Sequence, residues 1–278
     1  MSSPRFVIRC DMEGVAGIVS YAQVEPGHRE YEEGRAYFME EILALVEGLK
    51  EGGAGEILIY DEHWFGRNLR LDRLPEGVVA CCGKPPYRED WAGGLRAGDA
   101  GLILHGLHSK LGTGQVLHHT YEPDIKAITL NGIPVGEIGV EAAIAGDFGV
   151  PTVLMTGDSG GAEEARALIP GIATVEVKES QSPDGAACLP LAVAAARIRE
   201  AARRAVKDAS SVKPFKVSGP VTMEIDFNDG PYLKALRACA DLAGPAHLVL
   251  EGDSVIQLWA RYWKLKLKAQ EVVRAGKV

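Results

Sequence analysis

The feature that most constrains the fold is a series of short apolar runs separated by helical patterns in the first 170 residues. Runs of four or five residues are too short for helices and are typical of strands buried on both faces. The predicted strands are 6–10, 57–60, 78–80, 101–105, 127–130 and 152–155. Helical spacing appears at 31–50 and 140–148. The alternation predicts an α/β fold with a largely parallel sheet and helices on both faces.

The pattern changes after about residue 170. A helix rich in Ala and Arg is predicted over 189–206, and residues 221–227 alternate between apolar and polar, which predicts a strand with one face towards water. Further helices are predicted over 233–242 and 254–269. We therefore predict two domains: an α/β domain over 1–170, and a smaller α+β portion over 171–278 packed on it.

Charge and composition exclude several classes of partner. The formal net charge is −8, which argues against nucleic acid and against an anionic membrane surface. No apolar run approaches the roughly 18 residues of a membrane span, and no signal-peptide pattern precedes the first strand. The five cysteines are odd in number and form no Cys-x-x-Cys motif, so we expect reduced thiols. A cytoplasmic protein without nucleic-acid or membrane partners is expected.

Polar side chains gather where the predicted strands end. Ligands of open α/β sheets bind outside the carboxyl ends of the strands, so these side chains are expected to converge. They are Asp11, Glu13, Asp61, Glu62, His63, His105, His108, His118, His119 and Glu137. Each has a simple structural explanation by itself; His105, for example, lies inside an apolar run and is interpreted as a structural histidine. Only their conjunction points to a site.

Mixed histidine and carboxylate donors suit Zn²⁺, with Mn²⁺ or Fe²⁺ as alternatives. Three carboxylates, Asp11, Glu13 and Glu137, carry more negative charge than one catalytic Zn²⁺ usually collects. Two ions sharing a bridging carboxylate balance that charge better, and such sites are typical of aminopeptidases and phosphatases. The residues alone therefore predict a metallohydrolase.

A second motif, Gly-Asp-Ser-Gly-Gly at 157–161, resembles the surroundings of a catalytic serine in all-β proteases. The alternation of strands and helices does not fit that fold. We interpret the segment as a strand end followed by a helix over 162–168, with Ser159 as its N-cap. Neither a Walker A motif nor Gly-x-Gly-x-x-Gly follows a strand, which disfavours nucleotide binding of those types.

Four segments, at 10–17, 61–63, 108–119 and 134–139, resemble the DppA-like zinc D-aminopeptidases. The most specific are Asp-Met-Glu-Gly at 11–14 and Val-Gly-Glu-Ile-Gly at 135–139, kept in order and spacing. The resemblance runs from about residue 6 to residue 170 and more faintly to the end. Two positions depart from the family: His118 replaces a small polar residue, and no arginine lies near Pro183, which bears on specificity.

The resemblance implies two Zn²⁺ per chain, with Asp11 bridging both. It implies Glu13 and His108 as the other ligands of one ion, and His63 and Glu137 as those of the second. His119 occupies the position of the family's catalytic histidine, as base, acid or nucleophile. It also implies an aminopeptidase that removes an N-terminal D-residue from short peptides or amides, assembled as a homo-oligomeric ring such as a decamer.

Two alternatives remain open from the residues alone. One is a binuclear metallohydrolase of other amides or of phosphoesters. The other, of a different class, is a non-catalytic oligomer that binds metal or a small ligand.

Overall fold

The computed structural model, which describes residues 3–276, contains a seven-stranded sheet and a four-stranded sheet. The strands in chain order are β1 (Arg5–Cys10), β2 (Glu56–Asp61), β3 (Val78–Cys81), β4 (Gly101–Leu107), β5 (Ile125–Leu130), β6 (Ile133–Val135), β7 (Thr152–Asp158), β8 (Ala173–Ser182), β9 (Gly185–Cys188), β10 (Val221–Phe227) and β11 (His247–Gly252). The α-helices are α1 (Tyr31–Gly52), α2 (Glu137–Asp147), α3 (Ser159–Leu168), α4 (Leu191–Asp208), α5 (Pro231–Arg237) and α6 (Val255–Arg274).

The large sheet has the spatial order β3-β2-β1-β4-β7-β8-β9, and only β9 runs antiparallel to its neighbour. Every residue of β4 and β7 is buried, as expected for strands covered on both faces. Helices α1 and α4 pack against each other, and α2 packs on β4 and β7. The predicted α/β fold with a largely parallel sheet is therefore confirmed.

The small sheet is antiparallel, in the order β11-β10-β5-β6. Residues along β10 alternate between buried and half-buried, which confirms the alternation seen in the sequence. The placement of 127–130 in the parallel series is wrong: within β5, Ile128 pairs with Ile225 of β10. A four-residue apolar run makes a strand but does not specify its partner.

Strands from both parts of the chain enter both sheets. After residue 170, β8 and β9 extend the large sheet and α4 packs on β7 and β8. Before it, β5 pairs with β10 and β6 pairs with β5, so both belong to the small sheet. The change at residue 170 therefore does not separate the sheets, and the two-domain division stays a prediction. Within the described range, no helix is both long and apolar enough to cross a bilayer.

Two helix starts differ from the sequence interpretation. The N-cap of α3 is Asp158 rather than Ser159, because the Asp158 carboxylate accepts a hydrogen bond from the Gly161 backbone N–H at 2.6 Å. Helix α4 begins at Leu191, two residues after the predicted start at 189. Helix α1, predicted over 31–50, ends in glycines, with Gly53 in the left-handed conformation at φ 103°.

Candidate metal centre and its cavity

Three neighbouring strands deliver most of the predicted ligands to one edge of the large sheet. Asp11 and Glu13 follow β1, His63 follows β2 on one side, and His108 follows β4 on the other. All three strands are parallel, so their carboxyl ends meet. Glu137 comes from a different element, as the first residue of α2. A carboxylate there is favoured by the positive end of the helix dipole.

Two glycines let the segment after β1 approach the end of β4. The Gly14 backbone N–H donates to the Gly106 carbonyl at 2.8 Å. A Cβ on Gly14 would lie 1.9 Å from the Leu107 carbonyl oxygen, and a Cβ on Gly106 would lie 2.1 Å from that of Asp11. No other residue type fits without a shift of the backbone. The close approach brings the carboxylates beside His108.

One group of candidate ligands consists of Asp11, Glu13 and His63, whose donor atoms lie within 4.8 Å of one another. His63 Nδ1 lies 2.8 Å from Asp11 Oδ1 and 3.1 Å from Glu13 Oε2. All three residues are buried. The group offers two carboxylates and one imidazole to a single point, a donor set that suits zinc.

A second group consists of His108, His119 and Glu137. His108 Nε2 lies 3.3 Å from Glu137 Oε1, and the rings of His108 and His119 stack with centroids 4.0 Å apart. The Tyr121 backbone N–H donates to Glu137 Oε1 at 2.7 Å and fixes that carboxylate. Asp11 Oδ2 lies 3.4 Å from His108 Nε2, so Asp11 contacts histidines of both groups.

The side-chain proximities differ from the pairing of ligands implied by the resemblance. Glu13 lies beside His63 rather than with His108, and His108 lies beside Glu137. The strand order explains the difference, because β2 and β4 flank β1 on opposite sides. The sequence separation of the four residues contains no information about that order. Asp11 keeps the position between the two groups that a bridging ligand requires.

Each of the three histidines has one ring nitrogen at a backbone carbonyl. The contacts are His63 Nε2 with Val24 O at 2.8 Å, His108 Nδ1 with Ser109 O at 3.0 Å, and His119 Nδ1 with Leu117 O at 3.0 Å. In each contact the ring N–H donates to the carbonyl oxygen. The opposite nitrogen then presents its lone pair to the carboxylates, which is the arrangement of metal-ligating histidines.

Two buried atoms of the cluster, Glu13 Oε2 and His108 Nε2, have no hydrogen-bond partner. Burial opposes ionisation of Asp11, but His108 and His63 hold the pKa of its carboxyl well below its usual range. Burial also opposes protonation of His63, but Glu13 and Asp11 hold its pKa well above the usual value. Positive charge beside the buried carboxylates therefore stabilises the cluster. Divalent cations would supply that charge and would give both unpartnered atoms a ligand contact.

A buried charge network lies beside the cluster. The wholly buried Arg9 has its Nε 3.3 Å from Glu141 Oε2 and 3.8 Å from Glu62 Oε1. Tyr87 contacts both glutamates through its hydroxyl, and Tyr121 donates to Glu141 at 3.0 Å. Burial and the Glu141 charge raise the pKa of Glu62 to about 8. The tyrosines lie in loops without any motif, so the sequence interpretation missed this network.

Three other polar residues at strand ends belong to neither group. Asp61 accepts hydrogen bonds from the backbone N–H of Asn68 at 2.6 Å and so shapes the loop after β2. His105 is buried with Nδ1 2.8 Å from the Thr156 hydroxyl, as expected for a structural histidine. His118 accepts a hydrogen bond at Nδ1 from the Gly112 N–H at 3.1 Å.

The cluster opens into a cavity of about 770 Å³. Its wall includes ligand candidates of both groups, together with the aromatic residues Tyr21, Trp64, Phe65 and Trp263 and the lysines Lys84 and Lys266. This volume is in the range of small-molecule sites. A second hollow of about 890 Å³ lies along α4 and contains none of the predicted ligands.

Known proteins show the same fold and family. The family model Peptidase_M55, D-aminopeptidase, matches residues 5–243. A D-aminopeptidase from Bacillus subtilis (strain 168) is 31% identical over 218 residues, which are 78% of this chain and 79% of that protein. The structure of the Zn-dependent D-aminopeptidase DppA from Bacillus subtilis, described as a self-compartmentalizing protease, superimposes with a TM-score of 0.89 at 24% identity over 96% of this chain and 98% of that one. The chain therefore belongs to the D-aminopeptidase family, as the sequence motifs predicted.

Proposed function

We propose that the protein is a binuclear zinc aminopeptidase that removes an N-terminal D-residue from short peptides. The observation that carries the binuclear part is the position of Asp11. Its two carboxylate oxygens face His63 of one group and His108 of the other. Both groups contribute residues to the wall of one cavity, so two ions held by them would meet the same substrate.

Asp11, Glu13 and His63 would hold one ion, and Asp11, His108 and Glu137 the other. Two Zn²⁺ per chain fit these donors best, and Mn²⁺ or Fe²⁺ fit the same mixture of imidazole and carboxylate. When bound, such ions polarise a carbonyl and make water a stronger nucleophile at neutral pH. The unpartnered Glu13 Oε2 and His108 Nε2 support this assignment.

His119 is the proposed catalytic residue. Its Nε2 lies 3.9 Å from Glu137 Oε1, and its side chain is 20% exposed to the cavity, more than His108. The His119 Nδ1–H donates to the Leu117 carbonyl oxygen, so Nε2 is free to accept a proton and to return it to a leaving amine. Stacking on His108 fixes the plane of the ring. These contacts support a role in proton transfer at Nε2.

The stereochemistry and the assembly are inferred from relatives. D-configuration at the first residue follows from the name of the 31% identical relative. A homo-oligomeric ring, such as a decamer, is our proposal for the assembly, and the description of the structural neighbour as self-compartmentalizing supports it. A cytoplasmic location remains our expectation from the composition and charge.

The test combines metal analysis with a substrate panel. The purified chain is stripped with a chelator, reloaded with Zn²⁺, and assayed on D-Ala and L-Ala dipeptides, on alanine amides and on a phosphoester. We expect about two ions per chain and cleavage of the D-Ala substrates. Hydrolysis of the phosphoester alone would point to another metallohydrolase, and bound metal without any turnover would point to a binding protein.

The role of His119 is tested by a pair of variants. His119→Ala is expected to keep both ions but to lose turnover about 10²- to 10⁴-fold, the usual contribution of a positioned acid or base. His118→Ala is the matched control, because His118 is the adjacent histidine and belongs to neither ligand group. Equal turnover in the two variants would remove His119 from the reaction.

A further inference from the structure

Beyond the candidate ligands, the cavity contains two lysines with different surroundings, Lys84 and Lys266. The Lys266 ammonium group contacts the carboxylate of Glu122 and lies 4.2 Å from the centre of the Trp263 ring. The Lys266 side chain is only 8% exposed. A buried ammonium group needs a partner of this kind, and Lys266 therefore forms a fixed positive point in the wall.

Lys84 is held in the wall by its backbone. It has a left-handed backbone conformation, with φ 48°. The preceding residue, Gly83, donates its N–H to the Gly66 carbonyl at 2.6 Å, and Gly66 donates to the His63 carbonyl at 2.8 Å. A Cβ on Gly66 would lie 2.6 Å from the backbone nitrogen of Lys84, so the two segments are in contact. Lys84 is thereby tied to the same loop that carries a candidate metal ligand.

Within residues 3–276 Lys84 has no directly paired counterion, although its charge opposes the rise in the pKa of Glu62. Over residues 3–276, its ammonium group makes neither a salt bridge nor a hydrogen bond, although the side chain lines the cavity and is half-buried. Burial lowers the pKa of Lys266, Glu122 opposes that shift, and the Lys84 charge adds to it. Both lysines line the same cavity, so their like charges repel, and an anion between them would relieve the repulsion.

We propose that Lys84 and Lys266 bind the C-terminal carboxylate of a short peptide whose first residue lies at the metal groups. The proposal rests on the proposed aminopeptidase function and deepens it, because it names the substrate class: free dipeptides and other very short peptides rather than peptide amides. An N-terminal residue at the ligand groups and a carboxylate at the lysines together fit a cavity of about 770 Å³. Recognition of both ends of a substrate limits its length.

A hydrogen bond to a charged group contributes roughly 1.5–3 kcal/mol, which corresponds to about a tenfold or larger change in affinity. The wild-type chain should therefore have a kcat/KM for D-Ala-D-Ala at least about tenfold above that for the D-Ala-D-Ala amide, with most of the difference in KM. The two substrates share the scissile bond, so the comparison isolates the carboxylate. Added salt should raise the KM of the free dipeptide more than that of the amide.

The decisive experiment measures the ratio of the two kcat/KM values in matched variants of the zinc-loaded chain. Lys84→Met should lower the ratio about tenfold, and Lys84→Arg should restore most of it, because the charge returns. Lys264→Met is the control: Lys264 lies on the same helix as Lys266 but is exposed and outside the cavity wall. Its ratio should equal that of the wild type.

Two results would overturn the carboxylate site: a wild-type ratio near one, or a ratio that Lys84→Met leaves unchanged. Lys266→Met is a second probe, since Glu122 is partly exposed and can be solvated after the change. Failure of the proposed function itself looks different, because neither the dipeptide nor its amide would then be cleaved. The two failures are thus distinguishable in one data set.

Discussion

Substitution of Asp11 by Asn tests the shared ligand most directly. The change keeps the shape of the side chain and its oxygen acceptor for the Met12 N–H, which lies 2.9 Å from Oδ1. It removes the negative charge that faces His63 and His108. Because one carboxylate serves both groups, we expect Asp11→Asn to lose most of both ions. Glu13→Gln, which changes a single group, should lose mainly one.

The size of the effect follows from linkage between metal binding and folding. At a free zinc concentration of about 100 times Kd, each ion stabilises the folded state by roughly 2.7 kcal/mol. With an unfolding entropy of about 2.1 cal/mol/K per residue, that corresponds to about 5 °C for a chain of 278 residues. Zinc should therefore raise the Tm of the chelated wild type by about 10 °C, of Glu13→Gln by about 5 °C, and of Asp11→Asn by under about 2 °C.

The assay is a thermal melt of the chelated chain with and without zinc, together with elemental analysis of the reloaded protein. Glu25→Gln is the control, because Glu25 is a carboxylate of the cavity wall that belongs to neither ligand group. It should behave as the wild type. If Asp11→Asn still binds two ions per chain and keeps the full rise in Tm, the shared-ligand reasoning is wrong.

Three further predictions concern stability. Arg9→Met leaves Glu141 buried without its cation and should lower the free energy of unfolding by about 3–5 kcal/mol in chemical denaturation; a loss under about 1 kcal/mol would contradict this. Gly14→Ala forces the backbone segments apart at the end of β4. The free energy of unfolding, measured by chemical denaturation, and the zinc affinity, measured by titration, should therefore both fall. In the metal-free chain the pKa values of His63 and His108 lie well above 6.5, so their stabilisation is present below that pH and is lost as pH rises through the raised values. The zinc-loaded chain should instead lose stability as pH falls, since protons compete with zinc for the same nitrogens. If Tm changes with pH equally in the metal-free and zinc-loaded chains, this reasoning is wrong.

Much of the fold could be predicted because continuous apolar runs of β1, β2, β4 and β7 reflect burial on both faces. The run at 127–130 shows the limit, because hydrophobicity does not state which strand is the neighbour. The strands β8 and β9, at one end of the large sheet, were not predicted. They contain polar and small residues, including Lys178, whose ammonium group is buried against the Glu13 and Ile18 carbonyls.

The convergence of the candidate ligands could be predicted because all follow strand ends or a helix start. The sequence could not predict which of these ligands are neighbours, since that depends on the strand order β2-β1-β4. The network of Arg9, Tyr87 and Tyr121 was also beyond the sequence. Its tyrosines lie outside regular elements, and Arg9 occupies a position of β1 where the apolar pattern hides a buried cation.

The strand order places the candidate metal ligands and the lysines proposed to bind the substrate carboxylate on different parts of the fold. The candidate ligands after β1, β2 and β4 come from the interior of the sheet, whereas Lys84 follows the edge strand β3 and Lys266 lies on α6. Replacement of the segment after β3 can therefore change whether a free or an amidated C-terminus is preferred. The metal-ligand candidates in the interior of the sheet would keep their positions. A designer could graft new loops there to retune substrate choice without rebuilding the reactive core.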